Sequence, residues 1–145
     1  MKPEFILMLT HNDKTVKEAL KIFRECKDAP VVHWGFKDVG LAPDEMKTLV
    51  REMKDAGKTT YLEVVSLSEE EGLRGAEIAV ESGFDVLMGT IFFDSILVYL
   101  KGKPIQYYPF LDIFTVIPVF WTERLKRLSN MRVFWKAGAF REWTC

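Results

Sequence analysis

The sequence predicts an α/β protein in which parallel strands alternate with helices over residues 1–111. Three observations support this prediction. Short β-rich runs recur at intervals of about 25 residues, amphipathic or apolar segments follow them, and polar or small residues gather where the runs end. This alternation is typical of a parallel sheet whose strands are joined by right-handed helical crossovers.

The first unit begins with a continuous apolar run at residues 5–10, the form of a strand buried on both faces of a parallel sheet. The segment 15–18, Thr-Val-Lys-Glu, matches a capping box. We therefore expect the first helix to begin at Thr15 and to extend to about Lys27, because Pro30 prevents its continuation.

The second strand is predicted at residues 31–36, and Pro43 suits the first position of the helix that follows it. The third strand is predicted at residues 59–65, which are rich in β-branched and aromatic side chains. Ser68, with a glutamate three residues later, forms a second capping box and predicts the start of the third helix.

A fourth strand is predicted at residues 85–90, an apolar helix at 92–100, and a fifth strand at 105–111. Two architectures share this rhythm, the closed eight-stranded barrel and the open doubly wound sheet. No Gly-x-Gly-x-x-Gly motif follows the first strand, so a dinucleotide site lacks its usual signature. Acidic, basic and small residues lie at the ends of successive strands instead, so we favour barrel topology. A full barrel needs about 250 residues, so we expect a partial barrel of four to five βα units.

Composition limits the function classes. A chain of 145 residues that is 48% hydrophobic and 28% charged fits one folded domain, and a net charge of -1 gives no reason to expect a nucleic-acid or membrane partner. Cys26 and Cys145 have neither metal-ligand spacing nor a disulfide framework, so we expect a reducing, cytoplasmic setting. About six apolar-leaning residues precede His11, too few for a signal peptide or a membrane span.

The first candidate site residues lie at the predicted ends of the second and third strands. Lys37 is either a Schiff-base or electrostatic lysine with Asp38 as its acid partner, or one of a solvated pair in a loop. Glu63 interrupts an apolar strand, where a buried carboxylate is costly unless it is paired. It either meets Lys37 inside a barrel or forms a salt bridge to a helix outside. We expect His33 to be structural.

Further candidates follow the first and fourth strands. Asp13 is a candidate acid/base group, with His11 and Asn12 as substrate contacts; alternatively, Asn12 and Asp13 only form a turn. No local His-x-His or Cys pair supports a metal site. Gly89 and Thr90 either offer backbone amides to a phosphate or serve close packing at a strand end.

Residues 5–10, 35–38, 62–65 and 89–92 together resemble the first half of a TIM-barrel protein, and the nearest likeness is to the phosphate-binding barrels that act on small phosphorylated sugars and related acids. The resemblance covers about residues 4–111. It implies a lyase- or isomerase-type lineage acting on a small phosphorylated or carboxylated metabolite. Later strands of such barrels carry the phosphate-binding loops, so we expect this chain to be inactive. The sequence indicates no particular cofactor.

The segment 112–145 departs from this pattern. It contains three of the four tryptophans, and its 6 basic against 3 acidic residues (net +3) contrast with 14 against 18 (net -4) in residues 1–111. Shifting the reading frame near Leu111 permits the string GYFHCHPSVLDG for residues 112–123, which resembles a barrel loop and helix. We therefore expect an unrelated, frame-shifted tail, a hypothesis that the coding DNA tests.

Two partner expectations follow. Basic and aromatic residues interleave between positions 124 and 143, as in single-strand nucleic-acid platforms and interfacial helices, but we favour a segment that covers apolar surface. An incomplete barrel leaves strand edges and inner side chains exposed, so we expect self-association into a homodimer or larger oligomer. A non-catalytic oligomeric half-barrel module or a frame-shifted folding product is the alternative to the enzyme lineage.

Overall fold

The structure, a computed structural model, describes residues 4–110 and has an α/β fold with a five-stranded parallel sheet and four helices. A separate two-stranded antiparallel hairpin follows the first strand. In chain order the elements are β1 (Ile6–Met8), β2 (Thr10–His11), β3 (Lys14–Thr15), α1 (Ala19–Cys26), β4 (His33–Lys37), α2 (Pro43–Asp55), β5 (Thr59–Val64), α3 (Glu69–Ser82), β6 (Val86–Ile91), α4 (Asp94–Leu100) and β7 (Gln106–Phe110). The predicted tail at 112–145 lies outside the described residues.

The five parallel strands are arranged in the order in which they occur along the chain, β1-β4-β5-β6-β7. One helix lies within each connection, and successive helices contact each other along the row. Right-handed crossovers in a sheet with this order place every helix on the same face. The described helices therefore form one layer against one face of the sheet.

The core fills the space between the sheet and this helix layer. The ring of Phe23 in α1 meets Trp34 of β4 edge-on, with centroids 5.2 Å apart, and both side chains are buried. Gly75 of α3 allows close approach to β5, since a Cβ at that position would lie 2.6 Å from the methyl groups of Val64. Apolar residues at alternate strand positions thus fix the face on which the helices pack.

Helix ends follow several of the local signals. Pro43 occupies the first position of α2 as predicted, and Gly83, with φ of 80°, ends α3 in the left-handed conformation. The hydroxyl of Ser68 accepts a hydrogen bond from the Glu71 amide at 3.3 Å. The Glu71 carboxylate accepts instead from the Ser66 hydroxyl, at 3.1 Å, so only one half of the predicted capping box forms.

The first predicted capping box is wrong. Helix α1 begins at Ala19, four residues later than predicted, and Thr15 lies in β3 with only 3% of its surface exposed. Its hydroxyl bonds to the backbone of Lys37 in β4 rather than to an amide of its own helix. A tertiary contact has therefore replaced the local cap that the spacing favoured.

The sheet face opposite the helices is named here the open face. Residues paired in register point to the same side of a parallel sheet, and the register places these twelve on the open face: Ile6, Met8, His33, Gly35, Lys37, Thr59, Tyr61, Glu63, Val86, Met88, Gln106 and Tyr108. His33 Nδ1 lies 3.1 Å from the Tyr61 hydroxyl, and its Nε2 lies 3.4 Å from Glu4. These contacts agree with the structural role expected for His33.

Candidate functional site

The candidate site lies at the edge of the sheet where the parallel strands end, called here the carboxyl edge. Lys37 is the last residue of β4, Glu63 is the last but one of β5, and Gly89 precedes the end of β6 by two residues. Because all five strands are parallel, these ends lie along one edge, which is where ligands bind in sheets of this kind.

The hairpin formed by β2 and β3 is fastened to the end of β4. Its two turn residues, Asn12 and Asp13, have φ angles of 48° and 61°, as a type I′ turn requires. The Thr15 hydroxyl donates to the Lys37 carbonyl at 2.8 Å and accepts from the Lys37 amide at 2.9 Å. The Thr15 amide donates to the Val39 carbonyl at 2.9 Å. These bonds place the hairpin tip beside the carboxyl edge.

The tip of the hairpin forms an ion pair with Lys37. Lys37 Nζ lies 2.6 Å from Asp13 Oδ1. The Lys37 side chain is only 12% exposed, whereas that of Asp13 is 93% exposed. The hydrogen bond and the positive charge of Lys37 lower the pKa of Asp13. The fold therefore holds an ammonium group at the edge and covers it with a solvated carboxylate.

Glu63 is the lateral neighbour of Lys37. Their Cα atoms are register partners across β4 and β5, so the two side chains leave the sheet on the same, open face. Glu63 is 7% exposed, and its backbone carbonyl accepts from the Asp38 amide at 3.3 Å. Of the two predicted orientations, the register supports the one that faces Lys37. The structure thus brings Asp13, Lys37 and Glu63 together.

Asp38 provides a carboxyl group with altered acidity. Burial raises the pKa of Asp38, and the negative charge of Glu71 adds to this effect. A backbone hydrogen bond and the positive charge of Lys37 oppose this increase without cancelling it. Asp38 therefore retains its proton to a higher pH than an ordinary aspartate does, which is a useful property for a general acid.

Gly89 and Thr90 form an irregular end to β6. The register shifts between Met88 and Ile91, and φ is 85° at Gly89 and 62° at Thr90. A Cβ at position 89 would lie 2.3 Å from the Val64 carbonyl oxygen, so this position requires glycine. The buried Thr90 hydroxyl lies 2.7 Å from the Tyr107 hydroxyl.

These contacts support the close-packing interpretation of Gly89 and Thr90, because the threonine side chain is used inside the fold. Helix α4 begins only at Asp94 and has 7 residues. Phosphate binding by the backbone amides of this segment stays a prediction.

Two residues that shape the site were not among the predicted ones. Thr15 fastens the hairpin, and Tyr107 holds Thr90 through its hydroxyl, while burial raises the pKa of Tyr107. A signal for the hairpin was present, since Asn12 and Asp13 separate two short polar runs by the two residues that such turns use. His11 and Asn12 are exposed in this hairpin, near the site but without an assigned role in it.

Comparison with known proteins adds no assignment: the chain matches no family model, no curated protein and no solved structure. Among residues 4–110, no three His, Cys, Asp or Glu side chains are grouped so that they could hold a metal ion. Within the same range, no helix has the length and apolar character needed to cross a membrane.

Proposed function

We propose that the carboxyl edge binds a small carboxylated or phosphorylated metabolite, in a fold that derives from the first half of a TIM-barrel enzyme of the lyase or isomerase type. The observation that carries this proposal is the position of Lys37. Its side chain is only 12% exposed, it is the last residue of β4, and its ammonium group contacts an exposed carboxylate that solvent can readily replace. A lysine held in this way is suited to the recognition of an anion.

The strand order supports the fold part of the proposal. A doubly wound sheet reverses its strand order at a switch point and carries helices on both faces. The five described strands follow chain order throughout, and the four described helices form one layer. This arrangement is compatible with a segment of a TIM barrel, the fold that we propose, whose active sites lie at the carboxyl ends of the strands.

The side chains at this edge suit proton-transfer chemistry. Lys37 would stabilise negative charge on a carboxylate, phosphate or enolate, Asp38 would act as an acid, and Asp13 and Glu63 would act as bases or electrostatic groups. In the proposed barrel, residues 4–110 would supply five of the eight strands, and phosphate loops follow the seventh and eighth strands. We therefore propose that this segment binds a ligand without turning it over.

Titration with two small anions tests the proposal. Pyruvate and inorganic phosphate represent the carboxylate and phosphate classes, and NMR amide shifts report the position of binding. We expect shifts centred on Lys37 and Asp38, and loss of them in Lys37→Met. Lys47→Met is the matched control, because Lys47 lies on the exposed side of α2 in a loose 3.9 Å ion pair. Equal binding by Lys37→Met and wild type would refute the proposal.

A second candidate is a non-catalytic oligomeric module. It is favoured by the open face, which no described helix covers and which presents Met8, Tyr61, Met88 and Tyr108 in partly exposed form. We propose that a second copy of this chain packs there, because apolar sheet faces and strand edges favour association.

Light scattering coupled to size-exclusion chromatography tests this candidate. We expect an oligomer for the wild type and a smaller species for Met88→Lys, which places a charge at the centre of the open face beside Glu63. Val98→Lys is the control on the exposed side of α4, where Val98 is 73% exposed. A wild-type monomer at micromolar concentration would rule out the oligomer.

A further inference from the structure

We propose that Asp13 occupies the position of a ligand carboxylate, and that a ligand binds by displacing Asp13 from Lys37. The Asp13 side chain, at the tip of the hairpin of β2 and β3, is then a latch that covers the anion-binding lysine until a ligand arrives. This inference rests on the proposed function, because it takes Lys37 as the anion-binding group. It adds the mode of binding and the preferred ligand class.

The first argument is the unequal exposure of the two partners. The Lys37 side chain is only 12% exposed, and two hydrogen bonds with the Thr15 hydroxyl fix the Lys37 backbone, so the attachment of Lys37 to the fold does not depend on Asp13. Asp13 is 93% exposed and therefore remains well hydrated after it leaves. An ion pair whose carboxylate is this exposed contributes little net free energy, so an incoming anion can replace the aspartate at small cost.

The second argument is that the hairpin does not depend on Asp13 for its attachment. Thr15 makes three hydrogen bonds to β4 and the loop after it. Gly40 lies so close to Thr15 that a Cβ at position 40 would be 2.3 Å from the Thr15 carbonyl oxygen. The base of the hairpin is thus fixed, and rotation of the Asp13 side chain is enough to uncover Lys37.

The third argument is charge. Lys37 already has Glu63 beside it in register and Asp13 on its ammonium group. A further anion would make three acidic groups around one cation, which favours exchange over addition. A ligand carboxylate matches the group it replaces in charge and geometry, so we expect small carboxylates to bind better than inorganic phosphate.

The test compares Asp13→Asn with wild type in titrations with pyruvate and, separately, inorganic phosphate. Removal of the competing charge should tighten pyruvate binding about two- to fivefold, the range expected when an exposed ion pair is removed. Asp28→Asn, on an exposed residue away from this edge, should leave affinity unchanged. Unchanged or weaker pyruvate binding by Asp13→Asn would overturn the latch.

The failure of the latch and the failure of the proposed function give different results. If Lys37→Met abolishes binding but Asp13→Asn does not improve it, Lys37 binds anions and the latch is wrong. If no binding of either anion depends on Lys37, both ideas fail. Tighter binding of phosphate than of pyruvate would contradict the preferred ligand class.

A carboxyl ¹³C NMR titration of wild type provides a second measurement. Without ligand, Lys37 lowers the pKa of Asp13. Saturating pyruvate should raise this pKa towards that of an ordinary aspartate, because the displaced carboxylate loses its partner. An Asp13 pKa that stays low in the pyruvate complex would show that the ion pair persists, and would overturn displacement.

Discussion

Replacing Thr15 with valine should destabilise the protein, although valine keeps the shape of the side chain and favours strands. The change removes the acceptor of the Lys37 amide and the donor to the Lys37 carbonyl, which lie 2.9 and 2.8 Å from the Thr15 hydroxyl. A buried polar group left without its partner costs about 1–3 kcal/mol. Since Lys37 is partly exposed, we take the lower part of this range for each group and expect a total loss of about 2–3 kcal/mol.

Urea unfolding followed by far-UV circular dichroism measures this loss. Amide hydrogen exchange locates it, since the Lys37 amide should lose its protection while the amides of β5 keep theirs. Thr48→Val is the control, because the Thr48 hydroxyl makes a local, exposed bond to the Asp44 carbonyl at 2.9 Å. A Thr15→Val loss no larger than that of Thr48→Val would refute the view that the hydroxyl fastens the hairpin.

Three further predictions concern the strand ends. Gly89→Ala should lower the free energy of unfolding in urea more than Gly57→Ala does. Both positions have positive φ, which costs a residue with a Cβ about 1–2 kcal/mol. Only at position 89 would the Cβ also lie 2.3 Å from a carbonyl oxygen. Asp38→Asn should be more stable than wild type at pH 7. Burial raises the folded-state pKa of Asp38, so stability falls as pH rises through that pKa, and the difference should vanish below the unfolded value of about 3.9. Asp85→Ala should lose about 1–3 kcal/mol at pH 7, because Asp85 accepts from both the amide and the hydroxyl of buried Thr60. Burial alone would raise the pKa of Asp85, but its hydrogen bonds lower it overall. The stability loss in Asp85→Ala should therefore shrink as pH falls through the depressed pKa. Urea unfolding at pH 3 and pH 7 checks the direction of the pH dependence for both aspartate variants.

The strand and helix order was predictable because it depends on local patterns. Strand β5 is rich in β-branched and aromatic residues, and α2 begins with a proline that cannot occupy a helix interior. Ser68 caps α3 through a contact only three residues long. These signals are contained in a few neighbouring residues, so the chain expresses them without help from the rest of the fold.

Thr15 shows why other features were not predictable. The capping-box pattern and a hairpin strand both fit the sequence around it, and the choice depends on Lys37, which is 22 residues away. Two hydrogen bonds to a strand end are worth more than a single helix cap on an exposed first turn. Nothing local distinguishes these outcomes.

The candidate site shows the same division. Placing Lys37 and Glu63 at strand ends required only the strand pattern, but their direct adjacency depends on the register of β4 against β5, which backbone pairing sets. The role of Asp13 depends on a left-handed turn that brings the aspartate back over β4. The positive φ of Thr90 was equally hidden, because it coincides with a shift in the register between β6 and β7.

Strand β4 explains why the site faces away from the helices. Its alternate residues Trp34 and Phe36 are buried in the core, so the intervening His33, Gly35 and Lys37 must share the open face. Gly35 has no side chain there, and a Cβ would lie 2.6 Å from the Met8 sulfur. On the open face, β4 therefore presents a polar side chain at each end and no side chain at the position between them. A ligand that approaches Lys37 from the open face would place its non-ionic part against Met8, whose sulfur fills the space above the buried Gly35.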